Sequence, residues 1–248
     1  MTGASTGIGA ALARHYAAQG ATLGLVARRR APLEALAASL PGAHHVFAAD
    51  VRDATAMRDA ATAFMQRAGI PDIVIGNAGV SVGTLTAEAE DLPAFETVLD
   101  INVTGLVRTF SPFIAPMLLR RSGALVGIAS VAGIRGLPGA GAYSASKAAA
   151  ISYLESLRVE MRGSGVRVQT ICPGYIDTPM TERNPYPMPF LLSADQAAPR
   201  FARVIERGTS YAVVPWQMAI VATLLHLLPN ALFDAAFAKA GRKPRGTL

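Results

Sequence analysis

Short apolar runs alternate with longer amphipathic stretches along most of this sequence. The apolar runs fall at residues 22–27, 45–48, 73–75, 124–129 and 166–171, and their length and composition predict strands. Between them, residues 9–19, 32–39, 54–68, 94–119 and 144–161 carry the helical spacing of apolar positions. Strands that alternate with helices imply right-handed crossovers and a parallel sheet covered on both faces. The expected fold class is α/β, a doubly wound parallel sheet, whose ligands bind beyond the carboxyl ends of the strands. At 248 residues the chain fits one such domain.

The stretch before the first helix reads Thr2-Gly3-Ala4-Ser5-Thr6-Gly7-Ile8-Gly9. Glycines permit a tight turn and a close backbone approach. The helix that follows offers unpaired N–H groups and the positive end of its dipole to a pyrophosphate. The strand at 22–27 then completes half of a nucleotide-binding, Rossmann-like unit. In such a unit the glycine turn follows the central strand, which takes about five or six residues. Here Met1 stands directly before Thr2-Gly3, so the expectation is a missing first strand and a natural chain that starts upstream. After the run at 22–27 come Arg28 and Arg29. An acidic residue there would accept from a ribose hydroxyl, as for NAD(H), whereas arginines accommodate the 2′-phosphate of NADP(H), the preferred cofactor here. Asp50-Val51 follows the run at 45–48, where a carboxylate can contact an adenine edge, and Asn77-Ala78-Gly79 follows 73–75, where small residues admit a cofactor.

Tyr143 and Lys147 are four residues apart and share one face of a helix. Phenol ionises near pH ~10, and a cation held close pulls that value down toward the range of general acid–base catalysis. Ser130 lies just past the run at 124–129, at a strand end directed to the same rim. Asn102 sits inside the predicted helix 94–119, although asparagine is a mediocre interior residue there.

Composition narrows the partners. Hydrophobic residues make up 51% and charged residues 16%, and the mean hydropathy of +0.33 points to an oligomer interface or a membrane contact. No run of about 20 apolar residues predicts a spanning helix, and small residues occupy the place of a signal-peptide core. The single Cys172 permits no internal disulfide and fits a reducing cytoplasm as a small buried residue. The four histidines show no metal-ligand spacing, so no metal is expected. The net charge of +6 is scattered, apart from Arg28-Arg29-Arg30 and a tail with Lys239, Arg242, Lys243 and Arg245. Without aromatics interleaved on a basic face, nucleic-acid binding is not expected; cofactor phosphate or an acidic membrane surface explains the arginines more economically.

Side by side, the pieces resemble the short-chain dehydrogenase/reductase family. The matching residues are Thr2 through Gly9, Asp50, Asn77-Ala78-Gly79, Asn102, Ser130, Tyr143-Ser144-Ala145-Ser146-Lys147 and Pro173-Gly174-Tyr175-Ile176-Asp177-Thr178, in the family's order. The resemblance implies hydride transfer between a nicotinamide and a carbonyl or alcohol carbon, in one dinucleotide-binding and catalytic domain over residues 1–248. It implies Tyr143 as the general acid and base, Lys147 as the cation that lowers its pKa and holds the nicotinamide ribose, and Ser130 as the group that orients the substrate oxygen. Asn102 would hold a water in a relay from Lys147 to solvent. Thr178 would bind the carboxamide after the Pro173-Gly174 turn, with Ile176 beside it. The apolar composition further suggests a homodimer or homotetramer, and the single cysteine a cytoplasmic location.

The substrate is not named by the motifs. Residues 179–207 are expected as the substrate lid, with Tyr186, Met188, Phe190, Leu191 and Leu192 making it apolar or simply packing on the body. Loop 133–141 would form the opposite wall, and its one charge, Arg135, could face an anionic substrate group or solvent. Residues 208–248 read as an apolar extension. Its stretch 208–233 has no Asp, Glu, Lys or Arg, and suits an oligomer interface, a peripheral membrane patch or added core packing. Two rival functions stand beside the oxidoreductase: an NAD(P)-dependent epimerase or dehydratase, and a cofactor-binding regulator or scaffold without turnover.

Overall fold

The computed structural model describes residues 1–182, 184–238 and 241–246. Helix α1 (Gly7–Ala18) leads into strand β1 (Gly24–Ala27), α2 (Arg30–Ser39), β2 (His45–Ala48), α3 (Ala54–Ala68) and β3 (Ile73–Gly76). There follow α4 (Leu92–Leu99), α5 (Gly105–Arg120), β4 (Gly123–Ile128), α6 (Gly141–Glu160) and β5 (Val166–Pro173). The short strands β6 (Ile176–Asp177) and β7 (Leu192–Ser193) precede α7 (Ala194–Glu206), β8 (Tyr211–Val214), α8 (Trp216–Leu227) and α9 (Asn230–Phe237).

All strand pairs are parallel, as β1 with β2 and as the ladder β3-β4-β5-β8. Met1 and Thr2 bridge the two halves. The Thr2 amide donates to the Ile75 carbonyl at 3.0 Å, and the Val26 amide donates to the Met1 carbonyl at 3.0 Å. The sheet therefore runs β2-β1, the Met1–Thr2 segment, then β3-β4-β5-β8, and only two residues occupy the central position. Below them lies a cavity of about 470 Å³ between β1 and β3, lined by Leu23, Phe47, Phe64 and Phe113 among others.

Side chains alternate along each strand and sort into two cores. Ile75, Val126, Ile128 and Ile171 pack with Leu12 of α1, Leu33 of α2 and Phe201 of α7 on one face. Val74, Leu125 and Val168 pack with Phe110 of α5 and Leu154 of α6 on the other. The register Ile75–Val126 and Ile128–Ile171 keeps each set on its own side, since a slip of one residue would exchange the faces.

Three sequence expectations need correction. Residues 94–119 are not one regular helix: α4 and α5 are joined by a π turn at Asp100–Thr104, which carries Asn102. Residues 179–207 are not all lid, because α7 is a core helix with Ala197, Ala198, Phe201, Ala202 and Ile205 buried against α1. A Ser193–Gln196 capping box starts it, and the fully buried Gln169 donates to the carbonyls of Val204 and Ile205 near its end. Finally, residues 208–248 begin inside the sheet, as β8. The rest of that segment keeps an apolar surface: Trp216, Ile220, Leu224 and Leu227 form an exposed stripe on α8. No helix among the described residues is long and apolar enough to cross a membrane, although α8 and α9 form a bent apolar pair. Lys239 of the basic tail lies outside the described residues.

If α7 is core, Phe201→Ala should destabilise the protein by about 3–5 kcal/mol in urea or guanidinium unfolding, the range for truncating a buried phenylalanine. A loss below about 1 kcal/mol, the size of a surface change, would return the helix to the lid.

Candidate active site

The carboxyl ends of β1, β3, β4 and β5 open into one groove of about 280 Å³. Its lining takes in Gly3, Ser5, Thr6, Gly7 and Ile8 from the glycine turn, Arg28 and Arg29 after β1, and Asp50 and Val51 after β2. Asn77, Ala78 and Gly79 come from the end of β3, Ser130 from the end of β4, Tyr143 and Lys147 from α6, and Pro173, Gly174, Ile176 and Thr178 from beyond β5. Two predicted residues, Gly9 and Asn102, stand behind the wall rather than on it.

The glycine turn is built for close approach. Gly3 and Gly7 have φ of 63° and 54°, where side chains are strained. A Cβ on Gly9 would run into the Gly3 carbonyl and come 2.8 Å from the Asn77 side-chain amide, so this position has no room for one. Asn77 supports the turn: its Nδ2 donates to the carbonyls of Thr2 at 3.2 Å and Gly3 at 3.1 Å. Helix α1 starts without a side-chain cap from Thr6. Its first N–H groups therefore face the groove uncommitted to any capping side chain, as a pyrophosphate site requires. Arg28 and Arg29 are exposed at the rim. Asp50 is bound by Arg52 at 2.8 Å, and that hydrogen bond holds its carboxyl below the usual range. The cradle, the free helix start and the rim arginines fit a dinucleotide with an added phosphate.

At the other end, α6 brings Tyr143 and Lys147 beside Ser130. The Lys147 ammonium donates to the Ile128 carbonyl at 2.9 Å and lies 5.8 Å from the centre of the Tyr143 ring. Only 5% of Lys147 is exposed, and burial lowers its pKa to about 8. Burial also holds the Tyr143 phenol above its ordinary value, against a hydrogen bond with Ser130 that lowers it. The depressed phenol expected from the sequence is thus not found in this arrangement, because desolvation outweighs the hydrogen bond with Ser130. Ser130 accepts from the Ala132 amide at 3.1 Å, which fixes its side chain. Cys172 is fully buried at the end of β5, and burial raises its thiol.

Asn102 is committed on all sides. Its Oδ1 accepts from the Val80 amide at 2.8 Å, and its Nδ2 donates to the Val80 carbonyl and to Ser146 Oγ, both at 2.9 Å. It ties the loop following Gly79 to α6 one residue before Lys147. The π turn explains why so poor a helix former sits here, since such turns free local backbone and aim a side chain. Arg135, by contrast, points away from the site. Its guanidinium donates to the carbonyls of Leu225 and Leu228 and stacks 4.2 Å over Phe233, capping α8.

Two contributors were missed in the sequence. Thr181 accepts from the Thr178 amide at 3.1 Å and donates to the Ile176 carbonyl at 2.7 Å, locking the turn that carries Thr178. Its three-residue spacing from Thr178 was the available signal. Lys243 was read only as part of a basic tail, yet its ammonium lies 5.9 Å from the centre of the Tyr143 ring.

Comparison with known proteins identifies the family. The family model for the short chain dehydrogenase matches residues 1–187. An oxidoreductase of Myxococcus xanthus, uncharacterized, is 40% identical over 239 residues, covering 95% of this chain and 94% of the relative. A 3-oxoacyl-[acyl-carrier-protein] reductase of Thermotoga maritima is 31% identical over 188 residues, 75% of this chain and 76% of the relative. Among solved structures, a short-chain dehydrogenase from Sphingobium yanoikuyae in complex with NADPH superposes with a TM-score of 0.77 at 27% identity, covering 93% of this chain and 96% of that one. The chain belongs to the short-chain dehydrogenase/reductase family of oxidoreductases.

Because a Cβ at position 9 meets fixed backbone, Gly9→Ala should lower unfolding stability by about 1–3 kcal/mol, the usual penalty of overpacking. An unchanged denaturation midpoint would show that the turn is looser than described.

Proposed function

We propose that this chain interconverts a carbonyl and an alcohol with NADP(H), on a substrate with a hydrophobic body, and that Tyr143 is its general acid and base. The observation that carries the reading is the convergence of Ser130, Tyr143 and Lys147 at one end of a groove whose other end is the glycine turn with Arg28 and Arg29. A nicotinamide cofactor supplies or accepts the hydride when bound.

Gly3, Ser5, Thr6, Gly7 and Ile8 would hold its pyrophosphate over the start of α1. Arg28 and Arg29 would hold the 2′-phosphate, which favours NADP(H) over NAD(H), and the Sphingobium relative is an NADPH complex. Asp50 and Val51 would meet the adenine. Asn77, Ala78 and Gly79 would let the backbone approach, and Pro173, Gly174, Ile176 and Thr178 would receive the nicotinamide. Lys147 would hold the nicotinamide ribose hydroxyls.

In reduction, the Tyr143 hydroxyl gives its proton to the substrate oxygen while Ser130 hydrogen-bonds and orients that oxygen. A phenol kept above its ordinary pKa by burial carries that proton at neutral pH. In oxidation the phenolate takes the hydroxyl proton, and the Lys147 charge favours the phenolate. Asn102 acts by position, fixing Val80 and Ser146 on the path of a water relay from Lys147 to solvent. Tyr186 lies near Tyr175, with ring centres 6.4 Å apart and the planes tilted by 58°, which supports an apolar lid over the substrate. The exposed stripe on α8 supports self-association of the chain through that helix.

Tyr143→Phe should lower turnover of a ketone panel by about 10²–10⁴-fold, the range for losing a general acid, with the NADPH dissociation constant unchanged in a fluorescence titration. A parallel loss of NADPH binding would show that Tyr143 serves the cofactor and not the proton. The Lys147 ammonium is present below about pH 8 and lost above it. Since kcat/KM for NADPH reports ionisations of the free enzyme, it should fall as pH rises through that value; a profile flat to pH ~10, the ordinary lysine range, would contradict this role.

A further inference from the structure

Residues 241–246 cross the substrate end of the site as a strap. The Gly83 amide donates to the Pro244 carbonyl at 2.9 Å, and Gly83 and Arg245 form a parallel bridge. Arg245 is anchored by Asp91 at 2.8 Å, Glu90 at 3.2 Å and Glu88 at 3.5 Å. On the other side, the Arg242 side chain covers Gly139 in the loop that precedes Tyr143. The strap is thus clamped to both walls of the cleft, through the residues that flank Lys243.

Lys243 itself is treated differently. It is half-buried, and its ammonium donates to the Met180 carbonyl at 3.4 Å, on the turn that lines the groove beyond Thr178. Among the described residues no carboxylate pairs with it, whereas its neighbour Arg245 has three. An ammonium has three donors, and one long bond to a carbonyl leaves the others unused. A partly desolvated cation without a counter-charge gains from an anion that meets it there. On the proposed reading of the groove, the glycine turn and Arg28-Arg29 take the phosphates of the dinucleotide, whereas the Lys243 ammonium lies 5.9 Å from the centre of the Tyr143 ring. Arg135, the other cation near this wall, is engaged with α8.

We propose that Lys243 is a specificity residue that binds an anionic group of the substrate, so that the carbonyl compound this chain takes carries a carboxylate-like anion beside its apolar body. This rests on the carbonyl–alcohol reading above. The strap supplies the charge, Tyr143 and Ser130 hold the carbonyl, and the distance between them selects chain length.

The test uses the full chain loaded with NADP⁺ and two keto acids, 4-oxopentanoate and 5-oxohexanoate, each against its methyl ester, with affinity measured by calorimetry. For at least one pair the acid should bind about tenfold or more tighter than the ester, the size of a hydrogen bond to a charged group. In Lys243→Met the two affinities should come within about threefold of each other, and Lys243→Arg should restore the preference, since guanidinium keeps the charge. NADPH binding and the unfolding midpoint, measured alongside, show that the variants are folded. Equal affinity of acid and ester in the unaltered protein, or no binding of either, overturns the proposal. So does a Lys243→Met variant that weakens both alike, which would make Lys243 a modulator of Tyr143. Oxidation of NADPH by the same compounds is read separately. An acid preference without any oxidation would leave Lys243 as an anion site and count against the carbonyl–alcohol reading instead.

Discussion

Lys147 joins the chemistry of this protein to its scaffold through one charge-assisted hydrogen bond, from its ammonium to the carbonyl of Ile128 at 2.9 Å. That carbonyl belongs to the last residue of β4, in the middle of the parallel ladder, where Ile128 is registered with Ile171 of β5. The bond therefore fixes α6 along the sheet, and with it the height of Tyr143 relative to Ser130, two residues beyond Ile128. Asn102 reinforces the same junction from the opposite side by holding Ser146 and Val80 together. Buried charge of this kind is tolerated only where it is hydrogen-bonded, so the site's geometry and the packing of its core are not separable.

Much of this was legible in the sequence, for physical reasons that differ by element. Runs such as 45–48 and 54–68 matched their observed strand and helix, because apolar periodicity reflects which face is buried. Motif residues were legible because each has a local conformational duty, such as Gly9 packed against the Gly3 carbonyl. What escaped was set by distant partners. Helix α7 follows the apolar segment read as a lid, and its contact with α1 makes it core. The π turn at Asp100–Thr104 follows from where Asn102 must reach, not from any local pattern. Arg135 and Lys243 likewise depend on distant partners, since the guanidinium finds the open carbonyls at the end of α8 while the lysine reaches the Met180 carbonyl.

The electrostatic design that results is uneven along the groove. Uncapped helix amides and two exposed arginines favour anions at one end. At the other, two ammonium groups lie within 6 Å of one phenol ring, at 5.8 and 5.9 Å. Burial opposes ionisation of that phenol, while the hydrogen bond with Ser130 favours it.

The central claim, proton donation by Tyr143 coupled to hydride delivery at a carbonyl carbon, is tested most directly by isotope tracing. NADPH deuterated at the transferable position would be incubated with the unaltered protein and its Tyr143→Phe variant, in ordinary water, with a reducible ketone. The account predicts alcohol with one deuterium at the carbinol carbon from the unaltered protein, and almost none from the variant. Alcohol formed without that deuterium, or at equal rates by both proteins, would contradict it.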